Sequence, residues 1–208
     1  MASEHETPTP SSSFDPSLPK GQSCSDCPFC SISFIYAPYD PQNPPDARSR
    51  IIDPNLPSPG PSTFIVLSTP QVMAFLDIMP LSVGHILVCP RNHRPKLTDA
   101  SQVEAAELGR YLRVLSAAVV RATGIKDWNV VQNNGAAAAQ VVPHLHFHII
   151  PRPELRDKRS ERFTATMFGR GQRDDLDEGE AVVLAEKIRQ EVAKVVKEDQ
   201  KQQNSSKL

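Results

Sequence analysis

Three of the six histidines in this chain of 208 residues stand at alternate positions in Pro143-His144-Leu145-His146-Phe147-His148-Ile149-Ile150. Near neutral pH an imidazole can bind a metal, move a proton or attack an electrophile. In an extended strand successive side chains alternate faces. His144, His146 and His148 then share one face, and Leu145, Phe147 and Ile149 share the other. Same-face neighbours lie roughly 7 Å apart along the backbone, so two imidazoles can converge on one metal or one phosphate. Three in a row are awkward for a single small ion, and no carboxylate or cysteine lies within the strand to complete a shell. The stretch therefore reads in three ways: a polar edge, a metal site, or a site for phosphoryl chemistry. The last needs N–H donors around a phosphate. Just upstream, residues 132–142 (QNNGAAAAQVV) form a small-residue loop whose backbone can approach an anion closely.

The cysteines are a second candidate. Cys24, Cys27 and Cys30 form overlapping C-x-x-C pairs, and Cys89 stands alone on an apolar stretch. The first twenty residues carry neither a basic start nor an apolar run, so no secretory leader is expected. The cysteines are then expected to be thiols or metal ligands rather than disulfides. Cys24 reads as a bystander and Cys89 as a core residue.

The elements that would position these groups follow from periodicity. Residues 63–80 suggest two short strands with a turn at Ser68–Gln71, and 84–90 a third strand opened by Gly84. A helix follows, capped at Thr98 or Asp99 and stopped at Gly124, with Leu108, Leu112, Leu115 and Val119 on one stripe. Residues 128–134 and 145–151 read as further strands. A charged loop runs from Pro153 to about Asp174. A helix over roughly 175–198 follows, with Leu184, Ile188, Val192 and Val195 inward and acids at its start. The class is α+β: an antiparallel sheet of about five strands with one long helix packed on it and a C-terminal helix. The 20 prolines crowd the N-terminal part. Residues 1–22 read as a disordered tail, 23–174 as one domain with a proline-rich surface insertion at 37–62, and 175–208 as helix and flexible tail.

With these motifs in place the chain resembles the histidine triad (HIT) family. His144-Leu-His-Phe-His-Ile-Ile150 fits its His-φ-His-φ-His-φ-φ signature, with φ apolar. Residues 75–93 (FLDIMPLSVGHILVCPRNH) and 133–140 (NNGAAAAQ) look like the corresponding family segments, in order and spacing. The resemblance covers roughly residues 24–35 and 63–153. It implies a nucleotide hydrolase or nucleotidyl transferase in which His146 attacks an α-phosphate and forms a covalent nucleotidyl-histidine. His148 would contact the phosphate, the His144 carbonyl would orient the nucleophile, and His85 would stand beside the site. Asp77 would accept from ribose hydroxyls, Phe75 and Ile78 would wall the base, and Asn133 and Gln140 would touch the phosphate or leaving group. Both apolar walls would still be at least partly buried. The zinc-containing, phosphoramidase-like branch further implies a structural zinc on Cys27, Cys30, His93 and His144, a tetrahedral Cys2His2 set. No organic cofactor is implied. Homodimers pairing through the long helix and a strand are usual in the family. Three positions depart from its pattern: Val141 replaces a common hydroxyl residue, Pro143 removes an N–H before the first histidine, and Ala139 stands in place of a glycine.

Nucleoside phosphoramidates, dinucleoside polyphosphates and adenylyl sulfate all offer the required α-phosphate, with purine nucleotides the expected partners. The alternatives are a non-enzymatic nucleotide- or zinc-binding regulator on the same scaffold, and a hydrolase with its metal at the reactive centre. A net charge of −1 gives no field that favours nucleic acid or membrane. The final Ser206-Lys207-Leu208 reads as a peroxisomal address for an import receptor, with cytoplasm as a second location.

Overall fold

The computed structural model describes residues 26–55, 63–153 and 177–205. Several expectations lie outside them: the tail 1–22, Cys24, the end of the insertion (56–62), most of the charged loop with Asp174 and Asp175, and Ser206-Lys207-Leu208. In chain order the elements are α1 (Pro28–Ile35), β1 (Ile65–Ser68), β2 (Val72–Leu76), β3 (Ile86–Pro90), α2 (Gln102–Thr123), β4 (Asp127–Gln132), β5 (Phe147–Arg152) and α3 (Glu178–Ser205). The five strands form one sheet in the order β1-β2-β3-β5-β4, with every neighbouring pair antiparallel. The expected α+β class is the one observed.

Alternation along the strands splits the buried residues into two layers. Val72, Ala74, Leu76, Ile86, Val88 and Ile149 pack with Leu108, Leu115 and Val119 of α2 and Ile188, Val192 and Val195 of α3. Met73, Phe75, Leu87 and Cys89 point the other way and pack with Cys27, Phe29, Cys30 and Tyr36. One face thus carries the helices, and the other carries the cysteine segment and the histidines. Each fully buried Leu or Val contributes about 2 kcal/mol, so the helix face supplies most of the apolar stabilisation.

α2 begins later than Thr98 or Asp99, which lie in a short 3-10 turn, Leu97–Asp99. The cap is Ser101: its hydroxyl accepts from the Glu104 N–H, and the Glu104 carboxylate accepts from the Ser101 N–H. Gly124 ends the helix at φ 74°, as its position suggested. β5 begins at Phe147 rather than Leu145, so His144 and His146 precede the sheet ladder. The side-chain alternation holds regardless: Leu145, Phe147 and Ile149 fall on the helix side. α3 runs on to Ser205, and its buried Arg189 donates from Nη1 to the Ile65 carbonyl at 2.6 Å, anchoring the helix to β1. The insertion is partly built into the body. Tyr39 N–H bonds the Ser68 carbonyl along the β1 edge, and Ile52 and Asp53 are buried. No helix among the described residues is long and apolar enough to cross a membrane.

Candidate active site and metal centre

The pairing of β3 with β5 places His148 opposite Leu87, and β4 places it opposite Val131. His85 enters from the loop before β3. Gly84 precedes it at φ 85°, where a Cβ would come within 2.7 Å of Thr123. Only glycine fits that turn, and the turn points His85 inward, where it is 1% exposed.

Hydrogen-bond partners assign the imidazole tautomers. The Leu81 N–H donates to His85 Nδ1 at 3.1 Å, so Nε2 of neutral His85 carries the proton. That Nε2–H reaches His148 Nδ1 at 3.0 Å. His148 then accepts on Nδ1, so the proton of its neutral ring sits on Nε2. Asp77 Oδ2 lies 3.6 Å from His85 Nε2, while its Oδ1 accepts from the Met79 N–H at 2.9 Å, a local turn contact. Asp77, His85 and His148 are close enough to suggest a metal site. The Leu81 contact argues against one, because it commits His85 Nε2 to a proton rather than a lone pair.

His146 is buried, and its Nδ1 donates to the His144 carbonyl at 2.6 Å. Its Nε2 therefore holds the free lone pair, the state a nucleophile requires. Burial is the largest influence on His146 and lowers its pKa below the usual 6.5, with the His144 carbonyl working the other way. A folded-state pKa below the unfolded one means the stability linked to this group is present above about pH 6.5 and is lost as pH falls through the lower folded value. For catalysis the same sign keeps the base neutral in mild acid. The acid limb of kcat/KM is expected below about pH 6.5. A limb at or above that value in a pH–rate profile would assign the nucleophile to another group.

Gln140 shares the His144 carbonyl: its Nε2 donates there at 3.4 Å and to the Pro95 carbonyl at 2.7 Å. Its Oε1 accepts from the Gly135 N–H at 2.6 Å, closing the small-residue loop. That loop is less open than expected, since the N–H groups of Ala138, Ala139 and Gln140 bond within it. Ala139 sits at φ 61°, the strained conformation a glycine would relieve. Asn133 is half-buried beside this loop, with Nδ2 3.5 Å from the Ala139 carbonyl. Phe75 is buried as expected. Ile78 corrects the expectation of partial burial: it is 64% exposed, because it lies past the end of β2 on the loop before Gly84.

One residue beside His146 was not among the site residues expected from the sequence. Phe29 lies between Cys27 and Cys30 and meets Phe75, His144 and His146 edge-on, with centroids 5.3, 5.6 and 5.3 Å away. Its place inside the C-x-x-C pair was the available signal.

Cys27, Cys30, His93 and His144, far apart in sequence, bring their ligand atoms within 4.8 Å of one another. His144 Nδ1 is 3.4 Å from Cys27 Sγ and 3.7 Å from Cys30 Sγ, and His93 Nδ1 is 3.3 Å from Cys30 Sγ. Zinc bonds of about 2.3 Å to sulfur and about 2.05 Å to nitrogen give a tetrahedral S–N edge of about 3.6 Å. The observed edges bracket that length. His144 Nε2 donates to the Pro90 carbonyl at 2.9 Å, which frees the Nδ1 lone pair to face the thiols. The hydrogen bond from Cys30 is the largest influence on the Cys27 thiol and lowers its pKa against the effect of burial, favouring the thiolate that a metal binds. The donor set fits a Cys2His2 ion. Cys89, by contrast, is fully buried in an apolar layer that pushes its thiol up, and it takes no part.

A HIT domain model matches residues 60–155. An adenosine 5'-monophosphoramidase of Candida albicans is 31% identical over 151 residues, covering 70% of this chain and 90% of that one. The chain belongs to the histidine triad family. Shorter HIT matches include an adenosine 5'-monophosphoramidase of Schizosaccharomyces pombe (46% over 81 residues, 39% of this chain and 58% of that one). Another is an adenylylsulfatase of Arabidopsis thaliana (44% over 82 residues, 39% and 42%). The match thus spans about half the length of these last two relatives. A solved HIT nucleotide-binding protein of Sulfolobus tokodaii superposes with a TM-score of 0.55 at 26% identity, over 64% of this chain and 86% of that one.

Proposed function

We propose that this HIT protein is a nucleotide hydrolase or nucleotidyl transferase acting at an α-phosphate through His146. The observation that carries the reading is the 2.6 Å bond from His146 Nδ1 to the His144 carbonyl, which leaves Nε2 as the reacting lone pair. Nε2 forms a bond to phosphorus as the bond from phosphorus to the leaving group breaks, and the leaving group takes that electron pair. Water then attacks the nucleotidyl-histidine and gives up a proton to solvent, the P–N bond breaks, and Nε2 recovers its lone pair. His148 donates from Nε2 to the phosphate oxygens, oriented by His85. Asp77 accepts from the ribose, Phe75 and Ile78 wall the base, and Gln140 and Asn133 border the phosphate or leaving group.

The adenylyl group is the proposed common substrate part. Relatives named for a phosphoramidate and for a sulfate differ in leaving group and share adenosine. Val141 is 90% exposed beside Gln140 and offers no hydroxyl to a leaving group. A turnover panel of adenosine and guanosine substrates with amine, sulfate and nucleotide leaving groups, combined with acid-quench trapping, tests both parts. A ³²P-labelled adenylyl adduct on His146 is the expected result. Its absence under single turnover, with product still formed, would sink the covalent mechanism.

Zinc is the proposed ion for Cys27, Cys30, His93 and His144, where it would serve as a structural tie between α1 and the sheet. A second copy is proposed to pair along β4, where Trp128 and Val130 are 42% and 47% exposed. A dimer mass by light scattering is expected, and a monomer at micromolar concentration would contradict it. Ser206-Lys207-Leu208 is proposed to direct peroxisomal import where Leu208 carries the free carboxylate. A fluorescent protein bearing the last dozen residues that stays diffuse would count against it.

A further inference from the structure

Glu104 looks ordinary in sequence, a capping-box glutamate at the start of α2. Such a residue needs one backbone N–H as partner and usually faces water. Glu104 is instead 1% exposed. Its Oε2 accepts from the Ser101 N–H at 2.8 Å and from Arg94 Nε at 2.9 Å, and its Oε1 accepts from Asn92 Nδ2 at 2.9 Å. Asn92 and Arg94 flank His93. The Arg94 carbonyl in turn accepts from the Leu145 N–H at 2.5 Å, and Leu145 lies between His144 and His146. From the opposite side Arg91 donates to Ser68 Oγ at 2.8 Å and to the carbonyls of Tyr36 and Ser33 at the end of α1. The turn that presents His93 is therefore held on both sides, with one carboxylate gripping both of the histidine's neighbours.

We propose that Glu104 is a positioning residue for the metal cradle. It fixes the Asn92–Arg94 turn so that His93 faces Cys30, and through the Arg94 carbonyl it holds the segment that carries His144. The proposal rests on the metal reading given above. Ligands ordered in advance bind an ion without the cost of ordering them at that moment. Glu104 suits the task because it stays charged. Burial pushes its pKa up, but the bonds from Arg94, Ser101 and Asn92 outweigh that and bring it to about 2. The Arg94–Glu104 ion pair is nearly dry, at 12% and 2% side-chain exposure, so water screens it little.

The test measures zinc affinity of the full chain by competition with a chromogenic chelator. Glu104→Gln is expected to weaken zinc binding about tenfold, the lower end of the range seen when groups supporting metal ligands are changed. Asn92→Ala cuts one tether from an exposed position and is expected to weaken it about threefold. Glu107→Gln, one turn further along the same helix and paired with the exposed Arg110, should leave affinity unchanged. A variant that destabilises metal-free and loaded protein equally leaves the zinc Kd where it was, so a mere helix cap would not move this readout. If the wild-type chain binds zinc and both variants bind it as tightly, the positioning role is overturned. If the wild type binds no zinc, the metal reading itself fails. Should Glu104→Gln not fold, Asn92→Ala decides.

Discussion

His146→Ala should lower kcat on an adenylyl substrate by about 10⁴-fold or more and leave nucleotide affinity within a few-fold. The asymmetry follows from where His146 sits. In the proposed mechanism its lone pair is what the reaction consumes, whereas the base and ribose are assigned to Phe75, Ile78 and Asp77. The ring packs against Phe29 and His148, so alanine also opens a cavity. His146→Asn keeps a donor that can face the His144 carbonyl and repeats the test with less repacking. A folded variant that binds nucleotide and does not turn it over supports the nucleophile. Unchanged turnover removes His146 from the mechanism and leaves a nucleotide-binding protein with its chemistry elsewhere.

Removing the metal should act on stability first. Chelation, or Cys30→Ser, would take away the ion proposed for Cys27, Cys30, His93 and His144, whose donor atoms converge. The thiolate of Cys27 and the imidazoles are then left facing one another in a buried space. For free ion at about a thousand times its Kd a loss of about 4 kcal/mol is expected, which lowers Tm by about 8–16 °C in a chain of this size. Below that lowered Tm, chelated protein should retain much of its turnover, because the lone pair of His146 does not touch the cradle. Immediate loss of all activity in protein that is still folded would place the metal in the reaction itself. Calorimetry and turnover on the same chelated sample separate the two outcomes.

The parts of this fold that follow local rules were legible in the sequence. The turn at Ser68–Gln71 separates β1 from β2, Gly124 ends α2, and the alternating histidines share a face away from the helices. The metal cradle was legible only through family resemblance, since nothing in local sequence joins Cys27 to His144. What stayed hidden depends on tertiary neighbours. α1 is eight residues, Pro28 and then seven of Phe, Cys, Ser and Ile, poor material for an isolated helix, and it forms because its buried side docks on the sheet. Glu104 carries the pattern of a surface cap, and its burial depends on where Asn92 and Arg94 fall. Thr98 or Asp99 was the expected cap, and the reciprocal bonds of Ser101 and Glu104 start the helix later. The exposure of Ile78 depended on where β2 stopped.

The cradle also bears on the unfolded chain. The contact between Cys27 and His144 closes a span of 117 residues, and the one between Cys30 and His93 closes 63. A disulfide across a loop near a hundred residues would remove about 4.7 kcal/mol of chain entropy from the denatured ensemble. An ion gripping the same points is a cross-link of comparable reach that forms without an oxidant and lets go when the ion is withdrawn. Such a staple would allow the cysteine segment to dock after the sheet has assembled, and ion supply would then set how long it stays docked.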